Sequence, residues 1–233
     1  KYAKNKGIIF NEIHVHIGSG ADPVIWRENI DRELSFVEKY FPHTKSVNFG
    51  GGLKVARMPD EKQADVVSLG TYAKQKIEEF YKKTGRKLIM KIEPGTFVVA
   101  NSGFLVTKVI DIKKTGNDGF TFIVTDGGME VNARPLFYGS KHPFYIISKN
   151  GTVISNEFNL SSFDKEKDSR VIVGRCCESG DSQCLDETGH IVPRVMGMPD
   201  VGDYVVIGGC GAYCSTMTPF NYNSHTQAIE LLL

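Results

Sequence analysis

Short apolar runs and longer amphipathic stretches alternate along the first 95 residues of the chain. Ile8 to Ile17 is a β-branched run that ends at Gly18, and Asp22-Pro23 opens an amphipathic stretch that extends to Tyr40. Aspartate followed by proline is typical of a helix N-terminus, because the carboxylate caps free N–H groups and proline is tolerated in the first turn. The pattern therefore predicts a strand followed by a helix.

The same alternation follows twice more. A short strand is predicted around Lys45 to Phe49, where it stops at three glycines, and Asp60 to Lys83 then carries apolar residues at helical spacing and closes with Thr84-Gly85. Leu88 to Ile92 is a third apolar strand, which ends at Glu93-Pro94-Gly95. Strands separated by helices of this length are typical of βαβ units in a parallel sheet.

The pattern changes at about residue 97, beyond which short β-branched or aromatic runs are separated by Gly, Asn and Asp turns. We predict an α/β part over residues 1–100 and a mostly antiparallel β domain over 101–233, with the boundary near Phe97 to Gly103. About three βα units precede this boundary, so the first part is either a small open sheet or the later part of a barrel. The runs are Phe104–Ile112, Phe120–Thr125, Phe144–Ser148, Val171–Val173 and Tyr204–Ile207.

Composition and charge exclude several classes of function. The 233 residues include 28 Lys+Arg and 27 Asp+Glu, a formal net charge of +1, so no strong positive field is available to bind nucleic acid. No apolar stretch reaches the roughly 18 residues of a membrane span, and Lys1 to Lys6 is not followed by the apolar region of a signal peptide. We expect a soluble, cytoplasmic protein. Its thiols are expected to be free, since the cysteines are five and unevenly placed: Cys176, Cys177, Cys184, Cys210 and Cys214.

Unusual residues follow each of the three predicted parallel strands, at the edge where α/β folds bind ligands. His14, His16 and Ser19 end the first strand, Gly50-Gly51-Gly52 follow the second, and Glu93-Pro94-Gly95 the third. The glycines would let N–H groups approach a phosphate, or form a tight loop only. The histidines face one side of the strand as metal ligands or as buried structural residues. Glu93 would cap a turn or pair with a cationic ring nitrogen.

A second group of candidate residues occurs in the β-rich half. Arg134, which follows Asp126-Gly127-Gly128-Met129, offers a guanidinium for a carboxylate, or a surface salt bridge. Cys177, in Cys177-Glu178-Ser179-Gly180-Asp181, is a candidate proton donor or an inert thiol. Tyr213 is a candidate hydroxyl donor to phosphate or substrate, or a packed ring.

The ordered set of motifs resembles the fold-type III pyridoxal-phosphate decarboxylases, in particular the diaminopimelate decarboxylase family, whose Cys-Glu-Ser-x-Asp box the chain carries. The resemblance spans nearly the whole chain in the family's order. It implies the C-terminal part of a (β/α)8 barrel, which binds the cofactor, followed by a β-barrel or sandwich domain for substrate binding and dimerisation. The motifs are His14-x-His16-x-Gly18-Ser19, Gly50-Gly51-Gly52, Glu93-Pro94-Gly95, Asp126-Gly127-Gly128-Met129 with Arg134-Pro135 and Tyr138, Cys177 to Asp181, and Gly211-Ala212-Tyr213 with Asn221-Tyr222-Asn223.

The resemblance also implies roles for individual residues. His16 would stack on the pyridine ring of pyridoxal 5'-phosphate and Glu93 would keep the ring nitrogen protonated, while Cys177 would donate a proton after decarboxylation. Cys177 and Glu178 would reach into the partner subunit's site, which implies a homodimer with composite active sites. The cofactor-binding set is His16, Ser19, Gly50, Gly51, Gly52, Glu93, Gly95, Thr96 and Tyr213. The substrate-binding set is Arg134, Tyr138, Glu178 and Tyr213, and the catalytic pair is Cys177 and His16.

The chain departs from the family pattern in two respects. The family's Schiff-base lysine lies upstream of every motif present here, so we expect a missing N-terminal segment and an inactive fragment. The motif Glu-Pro-Gly-Arg has Thr96 in place of arginine, which removes a charge-assisted hydrogen bond of roughly 1.5 to 3 kcal/mol. A substrate with one carboxylate, such as D-lysine or D-ornithine, therefore becomes an alternative to meso-diaminopimelate. No lysine of the chain lies in a sequence context that matches the family's Schiff-base lysine; those considered are Lys4, Lys45, Lys54, Lys91 and Lys108.

Two further classes of function remain open at this point. A metal-dependent barrel hydrolase could use His14 and His16 as ligands, although the third strand offers only Glu93 as another. A catalytically inactive homologue would also lack the lysine. A zinc site at Cys176, Cys177, Cys184 and His190 is not expected, because their spacing lacks paired Cys-x-x-Cys knuckles.

Overall fold

The computed structural model describes residues 2–163 and 167–233. The chain forms two compact units, the first from Lys1–Ala56 and Lys62–Val98, the second from Arg57–Glu61 and Val99–Leu233. The helices are α1 (Tyr2–Asn5), α2 (Pro23–Tyr40), α3 (Val66–Thr84), α4 (Gly95–Val99) and α5 (Arg134–Tyr138), with short 3₁₀ turns at Ala100–Ser102, Glu157–Ser162, Ser215–Met217 and Tyr222–Ser224. The strands are β1 (Glu12–His14), β2 (Ser46–Asn48), β3 (Ile89–Lys91), β4 (Leu105–Lys114), β5 (Thr121–Thr125), β6 (Phe144–Ile147), β7 (Val153–Asn156), β8 (Lys167–Val173), β9 (Arg194–Gly197) and β10 (Tyr204–Ile207).

The first unit is a parallel sheet with strands in chain order, β1-β2-β3. Its register pairs His14 with Asn48 and Asn48 with Lys91, so the last residues of all three strands lie side by side. The connections are α2 and α3, as in consecutive βα units of one layer. All three strands therefore present their carboxyl ends at a single edge.

Local sequence explains where the two long helices begin and end. The Asp22 side chain accepts a hydrogen bond from Val24 N at the start of α2, and Asp65 accepts one from Ser68 N at the start of α3. Gly85 ends α3 with φ +68°, a left-handed conformation that glycine adopts without steric cost. The apolar faces of both helices pack on the sheet, in a core that contains Trp26, Ile30, Leu34, Val37, Val47, Phe49, Leu53, Ala64, Leu69, Ala73 and Phe80.

One residue of α2 has a buried carboxyl group. Glu33 is 3% exposed, and both of its carboxylate oxygens lack a hydrogen-bond partner among the described residues. Burial raises the pKa of Glu33 to about 8, and the nearby Asn48 backbone offsets this only in part. A carboxyl group whose pKa is higher in the folded state than in the unfolded state stabilises the fold when protonated.

We expect the first unit to lose stability as pH rises from about 4.5 to 8, because the unfolded chain releases the Glu33 proton more easily than the folded chain. Glu33→Gln should remove this slope and raise the free energy of unfolding at pH 8 by about 2 kcal/mol. Urea unfolding followed by Trp26 fluorescence reports on this unit, since Trp26 is the only tryptophan and lies in its core. An equal slope in Glu33→Gln would contradict the prediction, and the exposed Glu28 on the same helix gives the control Glu28→Gln.

The second unit is a seven-stranded mixed sheet with the order β7-β6-β10-β4-β5-β8-β9. β5 and β8 are parallel, whereas β4–β5, β4–β10 and β8–β9 are antiparallel. The two end strands approach each other, because Gly197 N on β9 donates to Ser155 Oγ on β7 at 3.0 Å. The sheet is thus a nearly closed barrel, whose core contains Val109, Ile123, Phe144, Ile146, Ile154, Val171, Ile172, Cys184, Met196, Val205 and Ile207.

The predicted fold class, an α/β part followed by a β domain, is confirmed, but several element boundaries were wrong. The first strand covers Glu12–His14 rather than residues 8–17. α3 begins at Val66 rather than near residue 60, because Asp65 is its cap and Arg57–Glu61 pack in the second unit. The division of cofactor and substrate binding between 1–100 and 101–233 stays a prediction.

No helix within residues 2–163 and 167–233 has the length and apolar character needed to span a membrane.

Candidate active site

The three groups predicted at the strand ends of the first unit lie together. Gly51 N donates a hydrogen bond to His16 Nδ1 at 3.2 Å, and Glu93 N donates to Gly50 O at 2.8 Å. The Glu93 carboxylate lies 3.6 Å from His14 Nε2. An imidazole, a glycine turn and a carboxylate from different strands thus share one edge of the sheet.

The glycine turn after β2 has no room for side chains. A Cβ on Gly50 would lie 2.5 Å from Val15 O, one on Gly51 2.4 Å from Glu93 O, and one on Gly52 1.6 Å from Gly18 O. Gly50 and Gly52 also adopt positive φ values of +71° and +87°. The turn therefore requires glycine because neighbouring backbone segments approach it directly, and the approach brings main-chain groups from three strand ends together.

Asn48 positions the Glu93 carboxylate, a role that the sequence did not reveal. Asn48 Nδ2 donates to Glu93 Oε1 at 2.7 Å, and Asn48 Oδ1 accepts from Gly50 N at 3.0 Å. Asn48 is 6% exposed, whereas the Glu93 side chain is 54% exposed, so the carboxylate is fixed and still open to a ligand. The signal that could have indicated Asn48 is a polar amide at the end of an otherwise apolar strand.

The remaining predicted residues of this unit flank the same strand ends. Ser19 is exposed in the segment that follows β1. Gly95 and Thr96 begin α4, two and three residues after Glu93. Gly20 N donates to Gly52 O at 2.9 Å, which ties the segment after β1 to the glycine turn.

In the second unit, a buried carboxylate holds the Cys-Glu-Ser-Gly-Asp segment. Asp181 is 4% exposed, and it accepts hydrogen bonds from Met129 N and Cys176 N, each at 2.7 Å. Burial raises its pKa, and these two backbone donors oppose the rise. Cys177, between these fixed points, is an exposed free thiol.

Glu178 connects this segment to the C-terminal part of the chain. Its carboxylate accepts from Ser179 N at 2.9 Å and from the Tyr222 hydroxyl at 3.1 Å. Hydrogen bonds from the Ser179 side chain and from Tyr222 lower the pKa of Glu178, so the group is held ionised. The residues beside Tyr222, Asn221 and Asn223, have positive φ values of +60° and +50°, a conformation that asparagine tolerates better than most residues.

Arg134 and Tyr138 are the first and last residues of α5. The Arg134 guanidinium lies 5.2 Å from the centre of the Tyr138 ring and donates from Nη2 to Ser140 Oγ at 3.2 Å. Its Nε is buried without a hydrogen-bond partner among the described residues. The guanidinium is therefore oriented by an aromatic ring and a hydroxyl, which leaves it able to bind an anion.

Tyr213 lies in a strained loop that is fixed at its glycine. Gly211 N donates to Ala100 O at 2.8 Å, and a Cβ on Gly211 would lie 1.9 Å from Val99 O. Tyr213 itself has φ +56° and is 50% exposed. Positive φ at a bulky residue is costly and is typical of functional segments.

The metal alternatives lack the ligand groupings they require. In the part of the chain that the structure describes, neither His14 nor His16 belongs to a group of three potential ligands. Cys176 clusters with Glu130 and Asp181 rather than with His190, which is exposed and contacts Thr188. Among the described residues, the two histidines therefore have no third potential ligand grouped with them, and the hydrolase hypothesis stays a prediction.

Comparison with known families gives the identity of this scaffold. Residues 53–211 match the family described as pyridoxal-dependent decarboxylase, C-terminal sheet domain. The chain belongs to the pyridoxal-dependent decarboxylases. The suspected resemblance is thereby confirmed at the level of the family.

Several related decarboxylases align with nearly the whole chain. Diaminopimelate decarboxylase of Buchnera aphidicola subsp. Acyrthosiphon pisum is 32% identical over 224 residues, which are 95% of this chain and 51% of the relative. A crystal structure of diaminopimelate decarboxylase has a TM-score of 0.85 at 29% identity and covers 96% of this chain and 50% of that one. The enzyme from Helicobacter pylori complexed with L-lysine has a TM-score of 0.69 at 26% identity, with coverage of 96% and 49%. The chain thus spans about half the length of these relatives.

The first unit of this chain has side chains that fit pyridoxal phosphate, the cofactor of the family. The glycine turn packs directly against the backbone of the segments after β1 and β3, and glycine-rich turns after parallel strands are typical of sites where the main chain approaches a phosphate closely. Glu93 offers a fixed, exposed carboxylate for a ring nitrogen, and His16 is an exposed aromatic ring at the same edge of the sheet. The donor set therefore matches an anionic group at one end and a cationic ring at the other.

Proposed function

We propose that the protein to which this chain belongs is a pyridoxal-phosphate-dependent decarboxylase of the diaminopimelate type, which converts meso-diaminopimelate to L-lysine and carbon dioxide. The observation that carries the proposal is the meeting of His16, the Gly50–Gly52 turn and Glu93 at one edge of a parallel sheet in a member of this family. The names of the relatives, diaminopimelate decarboxylases, support this substrate.

In this proposal the first unit binds the cofactor. Ser19 and the glycine turn contact the phosphate. His16 stacks on the pyridine ring, and the Gly51 N–H orients the imidazole through Nδ1. In the second unit, Tyr213 remains a candidate hydroxyl donor to a phosphate. Gly95 and Thr96 complete the rim after β3. Main-chain donors and a hydroxyl suit a phosphate because they supply hydrogen bonds without a competing negative charge.

Glu93 sets the charge of the ring nitrogen. Pyridoxal phosphate supplies a cationic pyridine ring that accepts the negative charge left at the α-carbon when carbon dioxide leaves. Glu93 holds a proton at that ring nitrogen by pairing with it, and Asn48 keeps the carboxylate in place at 2.7 Å. The exposed side of Glu93 makes this pairing available without rearrangement of the sheet.

The second unit binds the substrate and returns the proton. Arg134, oriented by Tyr138, grips a substrate carboxylate, and Glu178, held ionised by Ser179 and Tyr222, binds a substrate ammonium group. Cys177 donates its thiol proton to the α-carbon after carbon dioxide has left. Its exposure suits a residue that acts across a subunit boundary.

We infer a homodimer in which Cys177 and Glu178 complete the site of the partner subunit. We also infer that β1 to β3 are the last strands of a (β/α)8 barrel, whose earlier strands and cofactor-binding lysine correspond to the half of the relatives that this chain does not match. Light scattering on the complete protein tests the dimer, and a monomer that turns over substrate would contradict the composite site.

Thr96 favours a second candidate substrate, because its hydroxyl lacks the cationic fork that suits a second carboxylate. Carbon dioxide release from meso-diaminopimelate, D-lysine and D-ornithine by the complete protein separates the two. We expect meso-diaminopimelate to have the highest kcat/KM. Preference for a D-amino acid with one carboxylate would replace this substrate, and no release from any of the three with cofactor bound would indicate an inactive homologue. Thr96→Arg is the matched variant, since the added guanidinium should change kcat/KM for a substrate with two carboxylates and leave kcat/KM for D-lysine and D-ornithine unchanged.

A further inference from the structure

Two cysteines in the second unit lie close together in the irregular segment after β10. The sulfur atoms of Cys210 and Cys214 and a ring nitrogen of His142 all lie within 4.8 Å of one another. Cys214 is 3% exposed, and Cys210 is partly exposed. Both are free thiols, and no role proposed above uses either of them.

Two arginines give the pair an asymmetric environment. Arg57 is 8% exposed, donates from Nε to Gly209 O at 3.0 Å, and has a buried Nη2 without a partner among the described residues. A hydrogen bond from Cys210, with the Arg134 and Arg57 charges, lowers the pKa of Cys214, while its neighbour Cys214 and burial raise the pKa of Cys210. The two guanidinium groups therefore favour Cys214 over Cys210 as the nucleophile of the pair.

The same surroundings disfavour a metal ion. The His142 Nδ1 lies 2.8 Å from Gly208 O, which can only accept, so this nitrogen carries a proton and is not a free ligand. The pKa of His142 is lowered to about 3, chiefly by burial, so the ring is neutral. Two guanidinium groups near the sulfurs repel a cation and stabilise a thiolate.

We propose that Cys210 and Cys214 are a redox-active dithiol, which hydrogen peroxide oxidises to an intramolecular disulfide. The Cys214 thiolate attacks a peroxide oxygen, so that an S–O bond forms and the O–O bond breaks, and the leaving oxygen departs as water after taking a proton. The Cys210 sulfur then attacks the Cys214 sulfur, an S–S bond forms, the S–O bond breaks, and hydroxide leaves as water with the Cys210 proton. Two thiols are oxidised by two electrons, and one molecule of hydrogen peroxide is reduced to two of water.

The disulfide would close a short loop of the backbone that includes Tyr213. Gly211, Ala212 and Tyr213 lie between the two cysteines, and Tyr213 already has the positive φ of +56°. Cross-linking restricts the backbone conformations of the enclosed residues. Oxidation therefore fixes the segment that carries Tyr213, and this chemistry does not depend on the proposed decarboxylase activity.

The sequence makes the disulfide directly measurable. The chain has no Lys or Arg after Arg194, so trypsin leaves Cys210 and Cys214 in the peptide 195–233, while Cys176, Cys177 and Cys184 fall in 176–194. The reduced, folded chain is treated with limiting hydrogen peroxide, blocked with iodoacetamide and digested. We expect the peptide 195–233 to carry no iodoacetamide label and to be lighter than the reduced peptide by two hydrogens. Chymotryptic cleavage after Tyr213 should leave the two parts of this peptide joined until a reductant is added.

Variants identify the nucleophile and exclude simple exposure. Cys210→Ser should leave Cys214 as a sulfenic acid that dimedone traps, Cys214→Ser should leave Cys210 reduced, and Cys177→Ser should form the disulfide normally. If iodoacetamide still labelled both Cys210 and Cys214 at a peroxide dose that had already oxidised Cys177, the proposal would be overturned. Dimedone labelling of Cys210 but not of Cys214 would also overturn it. Stoichiometric zinc retained by the chain but lost in Cys214→Ser would assign a metal site instead. Circular dichroism confirms that each variant is folded.

Discussion

Glu93→Gln should lower the decarboxylation rate of the complete protein about 100-fold or more, the usual range for removing one preorganised electrostatic group from an active site. Glutamine has the same shape and can still accept the Asn48 Nδ2 hydrogen bond, which is 2.7 Å in the wild type. Under the proposed function, the variant removes the negative charge that would keep the ring nitrogen protonated, whereas the glycine turn and His16 remain. We therefore expect kcat to fall much more than the affinity for pyridoxal phosphate.

The measurement combines steady-state kinetics with cofactor titration by absorbance. Glu28→Gln removes one negative charge from an exposed helical position of the same unit and should leave kcat unchanged. If Glu93→Gln and Glu28→Gln had equal kcat, Glu93 would not act on the ring nitrogen. Loss of cofactor affinity with unchanged kcat would instead make Glu93 only a binding residue.

Gly52→Ala should unfold or severely destabilise the first unit, by more than about 3 kcal/mol. The new Cβ would lie 1.6 Å from Gly18 O, and the φ of +87° is one that alanine rarely adopts. Relief requires the segment after β1 to move away, which breaks the hydrogen bond from Gly20 N to Gly52 O. The proposed phosphate cradle and the fold of the strand ends therefore fail together.

Gly70→Ala is the matched control, because Gly70 lies inside α3 and its Cβ would meet no atom within 4 Å. Alanine in a helix interior should stabilise the unit by about 0.5 to 1 kcal/mol. Urea unfolding monitored by Trp26 fluorescence compares the two variants in the same core. Equal stability of Gly52→Ala and wild type would show that the backbone at this turn relaxes freely.

The sequence predicted which residues of the first unit meet at one sheet edge because their determinants are local. His16, Gly50 to Gly52 and Glu93 each follow an apolar strand, and the parallel order of the strands alone brings them to one edge. Asn48 could not be assigned in this way, since its contact with Glu93 depends on the pairing of Asn48 with Lys91 across β2 and β3. Strand register is set by the packed sheet, and a single strand does not encode it.

Long-range burial accounts for the other residues that were missed. The β-branched residues 171–173 predicted the end of β8, but the polar start of this strand at Lys167 gave only a weak strand signal. β9 was missed entirely, because it is short and directly follows Pro193. Asp181 was visible within a motif, yet its hydrogen bond to Met129 N spans 52 residues. Arg57 was not singled out from the sequence, and its guanidinium is buried against Gly209 O, 152 residues away.

Residues Arg57–Glu61 leave the first unit, join the second and return, so the backbone passes between the units three times, after Ala56, after Glu61 and after Val98. A single proteolytic cut at residue 98 would therefore not release an intact second half. The freed 99–233 piece would leave Gly209 O without the Arg57 donor and Lys141 without its Asp60 partner. To express either unit alone, residues 57–61 would have to be joined to the second unit and the two segments of the first unit joined to each other. Gene fusions and split-protein designs at residue 98 must also keep residues 57–61 with the second unit.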